Sequence, residues 1–203
     1  MIAIVDYNMG NLASVQNAFA KLGQETVVES DPEKFKNYDK LVLPGVGAFA
    51  DAMEHLQERK MIESLREYAL SGKYMFGICL GMQLLFESSE EFGFHEGLGI
   101  IKGTVTKFDA TKFSEPLKIP HMGWNKMFIK NHPLFNGITQ EPYLYFVHTY
   151  HVNCTNQENS IATTNYGYQF TSAIAHDNIL GIQPHPEKSH NNGLKILENF
   201  IGL

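Results

Sequence analysis

The chain has 203 residues, 43% of them hydrophobic and 19% charged, with a formal net charge of −6. That is enough chain to bury one sizeable core without disulfides or metal, and the acidic balance excludes a nucleic-acid surface, which depends on clustered Lys and Arg. No apolar run approaches the length of a membrane span, and Met1-Ile2-Ala3-Ile4-Val5-Asp6 lacks the regions of a signal peptide, so a cytoplasmic protein is expected. Cys79 and Cys154 lie far apart with no metal-ligand spacing, which points to neither a disulfide framework nor a zinc site.

In chain order, Ile2 to Val5 reads as a buried strand followed by the polar turn Tyr7-Asn8-Met9-Gly10-Asn11. Leu12, Val15, Phe19 and Leu22 recur at helical spacing, and Gly23 stops the helix. Thr26 to Glu29 is a second strand, Asp31-Pro32 opens a brief helix, and Lys40 to Leu43 is a third strand ending at Pro44-Gly45-Val46-Gly47. Helices are predicted over Ala48 to Arg59 and Met61 to Ser71, then a strand over Met75 to Ile78, then a further helical pattern after Cys79. Strands alternating with helices imply a parallel sheet covered on both faces. Beyond about residue 100 the texture changes to strand-like runs at Thr104 to Phe108, Tyr143 to Tyr150, Ile161 to Thr164, Phe170 to Ala175 and Ile179 to Ile182. Asp177-Asn178 is a hairpin turn between the last two, and Leu194 to Ile201 is a closing helix. With no repeat or linker, the pattern predicts a single α/β domain over 1–203: a parallel half and a smaller antiparallel extension in the C-terminal half.

The segment Gly77-Ile78-Cys79-Leu80-Gly81 places a cysteine between two glycines, at the junction of a strand and a helical pattern. This is the form of a nucleophile elbow, a sharp turn that exposes the middle side chain and requires small neighbours. A helix beginning there favours a thiolate and an oxyanion. A packed, inert cysteine is the alternative, and it needs neither glycine.

A nucleophilic cysteine needs a base, and the base an orienting group. Among nine histidines, His55 lies in a charged helical pattern, His95 in a Gly-rich loop and His132 before a proline. His185 differs, because Pro184 and Pro186 keep it extended at the end of a strand, and Glu187, two residues on, points the same way. A carboxylate on one imidazole nitrogen frees the other to take a thiol proton. Cys79, His185 and Glu187 therefore make a complete triad, and Pro44-Gly45-Val46-Gly47 at another strand end offers backbone N–H groups for an oxyanion.

Gly77-Ile78-Cys79-Leu80-Gly81-Met82-Gln83 together with Gln183-Pro184-His185-Pro186-Glu187-Lys188-Ser189 resembles the class I glutamine amidotransferases. Ile119-Pro120-His121-Met122-Gly123-Trp124-Asn125 and Tyr145-Phe146-Val147-His148-Thr149-Tyr150 narrow the resemblance to the glutaminase subunits of imidazole glycerol phosphate synthase, in histidine biosynthesis. The resemblance implies a flavodoxin-like mixed central sheet flanked by helices. It implies that Cys79 attacks the glutamine side-chain amide, that His185 held by Glu187 manages protons, and that Leu80, Val46 and Gly47 supply the oxyanion site. It assigns Gln83, Glu91, Thr149 and Tyr150 to glutamine and requires no metal or organic cofactor. It also implies a heterodimer with a (β/α)₈-barrel cyclase that takes up the ammonia, contacted through Asn11, Met122, Trp124, Tyr145 and Lys188. Read by itself, each of Trp124 and Tyr145 is equally well a core aromatic.

Pro184 stands where a larger residue, often Phe, is usual, and Tyr74 replaces a common Pro. Three rival readings stay open: the same chemistry feeding a related cyclase in surface-sugar amidination, a γ-glutamyl cysteine hydrolase that works alone, and a non-catalytic regulatory module.

Overall fold

A computed structural model describes all residues, Met1–Leu203. The first half alternates as predicted: β1 (Ile2–Val5), α1 (Leu12–Lys21), β2 (Thr26–Glu29), β3 (Lys40–Leu43), α2 (Phe49–Glu58), α3 (Met61–Leu70) and β4 (Tyr74–Ile78). The brief helix after Asp31 is a 3-10 turn, Pro32–Asn37, started by the Asp31 side chain accepting from the Glu33 N–H.

After the elbow the chain departs from the expected pattern. The helix there, α4 (Leu80–Leu84), has only five residues before the chain straightens into β5 (Phe86–Ser89). The physical reason is competition for its carbonyls, since Leu84 C=O accepts from Leu98 N–H and Leu85 C=O from the Ile100 and Ile101 N–H groups. So few aligned peptides carry less field than the longer helix expected. Short β6 (His95–Glu96) places His95 on a strand rather than in a loop, and β7 (Ile101–Lys107) follows.

The C-terminal half contains β8 (His121–Lys126), β9 (Phe128–Ile129), β10 (Tyr143–His148), β11 (Tyr150–Cys154), β12 (Ser160–Tyr166), β13 (Tyr168–His176) and β14 (Ile179–Ile182), closed by α5 (His190–Gly202). The single strand predicted over Tyr143 to Tyr150 is in fact two. The chain changes sheets at Thr149: β10 pairs antiparallel with β8, whereas β11 pairs with β7 and β13.

The main sheet runs β2-β1-β3-β4-β14-β13-β11-β7-β5-β6, with β12 and β9 attached beyond β13. β2, β1, β3, β4 and β14 pair in parallel, and the switch to antiparallel comes between β14 and β13. Period-2 alternation assigns each face. Ala3, Val5, Leu41, Leu43 and Met75 join Phe49, Leu56, Met61 and Leu65 of α2 and α3 in one buried cluster. Ile2, Ile4, Val42, Phe76 and Ile78 join Val15 and Phe19 of α1 and Ile196, Leu197 and Phe200 of α5 in the other. Phe76 and Phe200 stack with ring centroids 5.0 Å apart, joining sheet to helix at a worth of about 1 kcal/mol beyond burial. No helix is long and apolar enough to cross a membrane.

Candidate active site

β1, β3, β4 and β14 lie side by side, and the chain leaves their carboxyl ends through Tyr7, Pro44-Gly45-Val46-Gly47, Cys79 and Gln183-Pro184-His185 respectively. That edge of an open α/β sheet is where ligands bind.

Cys79 has φ 55° and ψ −113°, a region that costs a non-glycine residue about 1–3 kcal/mol and persists only when the surroundings enforce it. The enforcement is visible on either side. Cys79 N–H donates to Ile182 C=O at 2.8 Å, tying the elbow to β14. A Cβ on Gly81 would lie 1.8 Å from the Leu43 carbonyl oxygen, and one on Gly77 would lie 2.7 Å from Met82 Cα. Both glycines of the motif are therefore demanded by backbone crossing backbone. Leu80 and Gly81, as the first two residues of α4, have no acceptor one turn back, so their N–H groups remain available beside the sulfur.

His185 is buried, and its Nδ1 meets Glu187 Oε1 at 2.7 Å, both side chains 3% exposed or less. Its Nε2 is buried without a hydrogen-bond partner. Burial pushes the ring down, but the Cys79 sulfur and the Glu187 carboxylate outweigh it and hold the ring up to about 10. A ring held up in this way carries its proton at neutral pH beside the Cys79 sulfur. The segment after His185 is a 3-10 turn, Pro186–Lys188, rather than the extended run expected, and that turn is what brings Glu187 back to the ring. It is pinned from β10, because His185 N–H donates to Tyr145 C=O at 2.9 Å and Tyr145 N–H donates to Ser189 Oγ at 3.0 Å.

A cavity of about 300 Å³ opens over this pair, lined by Val46, Gly47, Cys79, Leu80, Gln83, Glu91, Pro120, Val147, His148, Thr149, Tyr150 and His185. Every residue that the sequence resemblance assigned to oxyanion or glutamine is in this wall. Glu91 Oε2 accepts from the Phe49 N–H at 2.7 Å, which anchors the carboxylate at the start of α2, while burial raises its carboxyl above the ordinary value. Gln83 Nε2 donates to Tyr150 C=O and to Gln183 Oε1, each at 3.0 Å. Tyr7, fully buried, donates to Pro44 C=O at 2.7 Å and fixes the start of the glycine turn, its phenol raised by burial and by the charge on Cys79.

A profile of the glutamine amidotransferase class-I family matches residues 3–202. The chain belongs to that family. It is 74% identical over 200 residues to the imidazole glycerol phosphate synthase subunit HisH of Sulfurimonas denitrificans, covering 98% of this chain and 97% of the relative. The HisH subunit of Wolinella succinogenes is 53% identical over the full length of both. Among solved structures, PurLQS from Thermotoga maritima aligns with a TM-score of 0.77 at 18% identity, covering 99% of this chain and 97% of that one. A putative GMP synthase subunit from Thermoplasma acidophilum aligns at 0.71 and 21%, covering 99% and 92%. These two likenesses establish the amidotransferase fold, the mixed sheet with its small antiparallel companion.

Of the residues assigned to a partner, Met122 is 62% and Trp124 46% exposed, Lys188 and Asn11 are exposed, and Tyr145 is half-buried. Trp124 and Tyr145 are register partners across β8 and β10, with ring centroids 6.0 Å apart, so Trp124 is no core aromatic. Asn11 caps α1 by accepting from the Ser14 N–H. Sequence reasoning missed Tyr7, Pro120, Val147, His148 and Gln183. Only Gln183 carried a readable signal, being two residues before His185 in an extended run.

Proposed function

We propose that this amidotransferase hydrolyses glutamine to glutamate and ammonia and serves as the glutaminase subunit of imidazole glycerol phosphate synthase. The observation that carries the reading is one cavity holding Cys79, the His185–Glu187 pair, Gln83 and Glu91 together. Glu91 takes the substrate's ammonium group, and Gln83 with the backbone at Thr149 and Tyr150 holds the rest of the amino-acid head. The Cys79 sulfur attacks the side-chain amide carbon, and the oxygen gains negative charge facing the Leu80 N–H and the Val46–Gly47 turn. Collapse breaks the carbon–nitrogen bond as His185 gives its proton to the departing nitrogen, leaving ammonia and a glutamyl thioester. His185 then takes a proton from water, whose oxygen attacks the thioester, and the thiolate is restored as glutamate leaves. Each removed oxyanion donor costs such a step about 10²–10³-fold.

Exposed Met122 and Trp124, with Tyr145, Lys188 and Asn11, form the docking surface for a (β/α)₈-barrel cyclase in a cytoplasmic heterodimer, where the ammonia is consumed. Two relatives named as HisH subunits, at 74% and 53% identity over nearly the whole chain, support this reading over surface-sugar amidination. Replacing Cys79 by Ala in the complex tests it: glutamine-dependent synthesis should vanish while ammonium-dependent synthesis persists. Loss of both, or survival of glutamine use, overturns the assignment.

A further inference from the structure

Gln183 has no part in the steps above, although its side chain is fully buried and its Nε2 lies 3.6 Å from Cys79 Sγ. Which end of the amide faces the sulfur is decided by a backbone carbonyl, which can only accept. Tyr150 C=O takes the His148 Nδ1–H at 2.8 Å and the Gln83 Nε2–H at 3.0 Å. Gln83 presents the same nitrogen to Gln183 at 3.0 Å, so the Gln183 atom there is the oxygen. Its NH₂ group is left pointing at Cys79.

The same carbonyl also orders the rings behind it. Because His148 Nδ1 carries its proton, His148 Nε2 accepts from His121 Nδ1 at 2.9 Å, and His121 Nε2 accepts from Asn125 Nδ2 at 3.1 Å. Burial holds both rings below the ordinary histidine value, so both stay neutral and the chain keeps one direction through neutral pH. Asn125 and His121 lie on β8, whose Met122 and Trp124 face outward.

We propose that Gln183 is a further catalytic residue, its amide donating to the Cys79 thiolate so that the sulfur is held charged and aimed. Gln83, anchored on the Tyr150 carbonyl, is the positioning residue that sets the direction of that bond. The inference deepens the glutaminase reading and rests on it. The donor acts twice in the cycle: it steadies the attacking sulfur, and it meets the charge that returns to sulfur when the thioester breaks. A buried glutamine kept only for packing has no need of an amide polarity fixed this way.

The test is the pH dependence of Cys79 alkylation by iodoacetamide, mapped by peptide mass in the full chain, for wild type, Gln183→Met and Gln183→Glu. The titratable groups around the sulfur are His185 backed by Glu187, Tyr7 just beyond β1, and His148, Tyr150 and Glu91 along the cavity, and all of them stay in place. A hydrogen bond to a charged acceptor is worth about tenfold or more, so the inflection should rise by about one pH unit in the Met variant. It should rise further in the Glu variant, which adds a negative charge. In the complex, kcat for glutamine should fall by about tenfold with KM little changed. Wild-type inflections in variants with wild-type melting temperatures overturn the proposal. If Gln183→Met does not fold, Gln183→Leu, which likewise removes the donor and adds no charge, takes its place. Alkylation needs no glutamine turnover, so its failure is distinguishable from failure of the Cys79→Ala test.

Discussion

Replacing Gly81 by Ala should damage stability and chemistry together, and the structure gives the size of both effects. The new Cβ would fall 1.8 Å from Leu43 O and 2.7 Å from Leu43 C, both backbone atoms that cannot swing aside. An ordinary carbon–oxygen contact needs about 3.3 Å, so the elbow and the end of β3 must separate by about 1.5 Å. Leu43 is the register partner of Gly77 in the β3–β4 ladder, so that separation breaks sheet pairing two residues before Cys79. Overpacking of this kind costs about 3 kcal/mol, which for a chain of this length lowers the melting temperature by about 6–12 °C. Moving the Leu80 and Gly81 N–H groups by the same distance removes a proposed oxyanion donor, an expected loss of about 10²–10³-fold in glutamine-dependent rate. Gly72 is the control: it has φ +78° and nothing within 4 Å of an added Cβ. Its replacement by Ala should cost about 1 kcal/mol of backbone strain and leave the rate unchanged. Thermal melting by circular dichroism and glutaminase assays in the complex measure both. A Gly81→Ala protein that melts within about 2 °C of wild type with a rate within about threefold would refute the reasoning.

Two further outcomes follow from the site. His185 is held up at about 10 against an ordinary value of 6.5, so folding favours its protonated form. That stabilisation is complete below about pH 6.5 and is withdrawn as the pH climbs through about 10. Glu187→Gln removes part of the support, so its urea-unfolding free energy should decline less over that interval than that of wild type, and an unchanged slope contradicts the assignment. Trp124 is 46% exposed, packs on Tyr145 and lies parallel to the His190 ring at 5.0 Å. Trp124→Ala should weaken binding of the proposed cyclase partner by about thirtyfold, an aromatic anchor on such a surface being worth about 2 kcal/mol. Calorimetric titration measures this, and an unchanged Kd removes Trp124 from the interface.

The parallel half was readable because its signals are local. Ile2 to Val5, Lys40 to Leu43 and Met75 to Ile78 are apolar runs buried on both faces, and Gly and Pro punctuate them. β8 was not readable, since His121-Met122-Gly123-Trp124-Asn125-Lys126 mixes buried, half-buried and exposed positions without apolar alternation. It becomes a strand because β10 supplies the partner carbonyls and N–H groups. The break at Thr149 was invisible for a similar reason, because β-branched and aromatic residues that favour strand continue across it and only the competing demands of two sheets divide them. The short α4 reflects the same competition, its last carbonyls being claimed by a segment more than a dozen residues away.

By itself the sequence determined two local pairings: a cysteine flanked by glycines at a strand end, and a histidine with a carboxylate two residues on in a proline-bounded segment, which the structure makes a 3-10 turn and not an extended run. Those pairings depend on backbone conformation over a few residues, which local sequence controls. Tertiary structure alone decided that the two segments share one cavity, and that Gly81 is obligatory because Leu43 passes over it. It also decided that Gln183 offers the sulfur a donor rather than an acceptor. Amide polarity has no local signature. It is set by the Tyr150 carbonyl, which can only accept and so turns the Gln83 nitrogen toward Gln183, residues that only the folded sheets bring within 3 Å or so of one another.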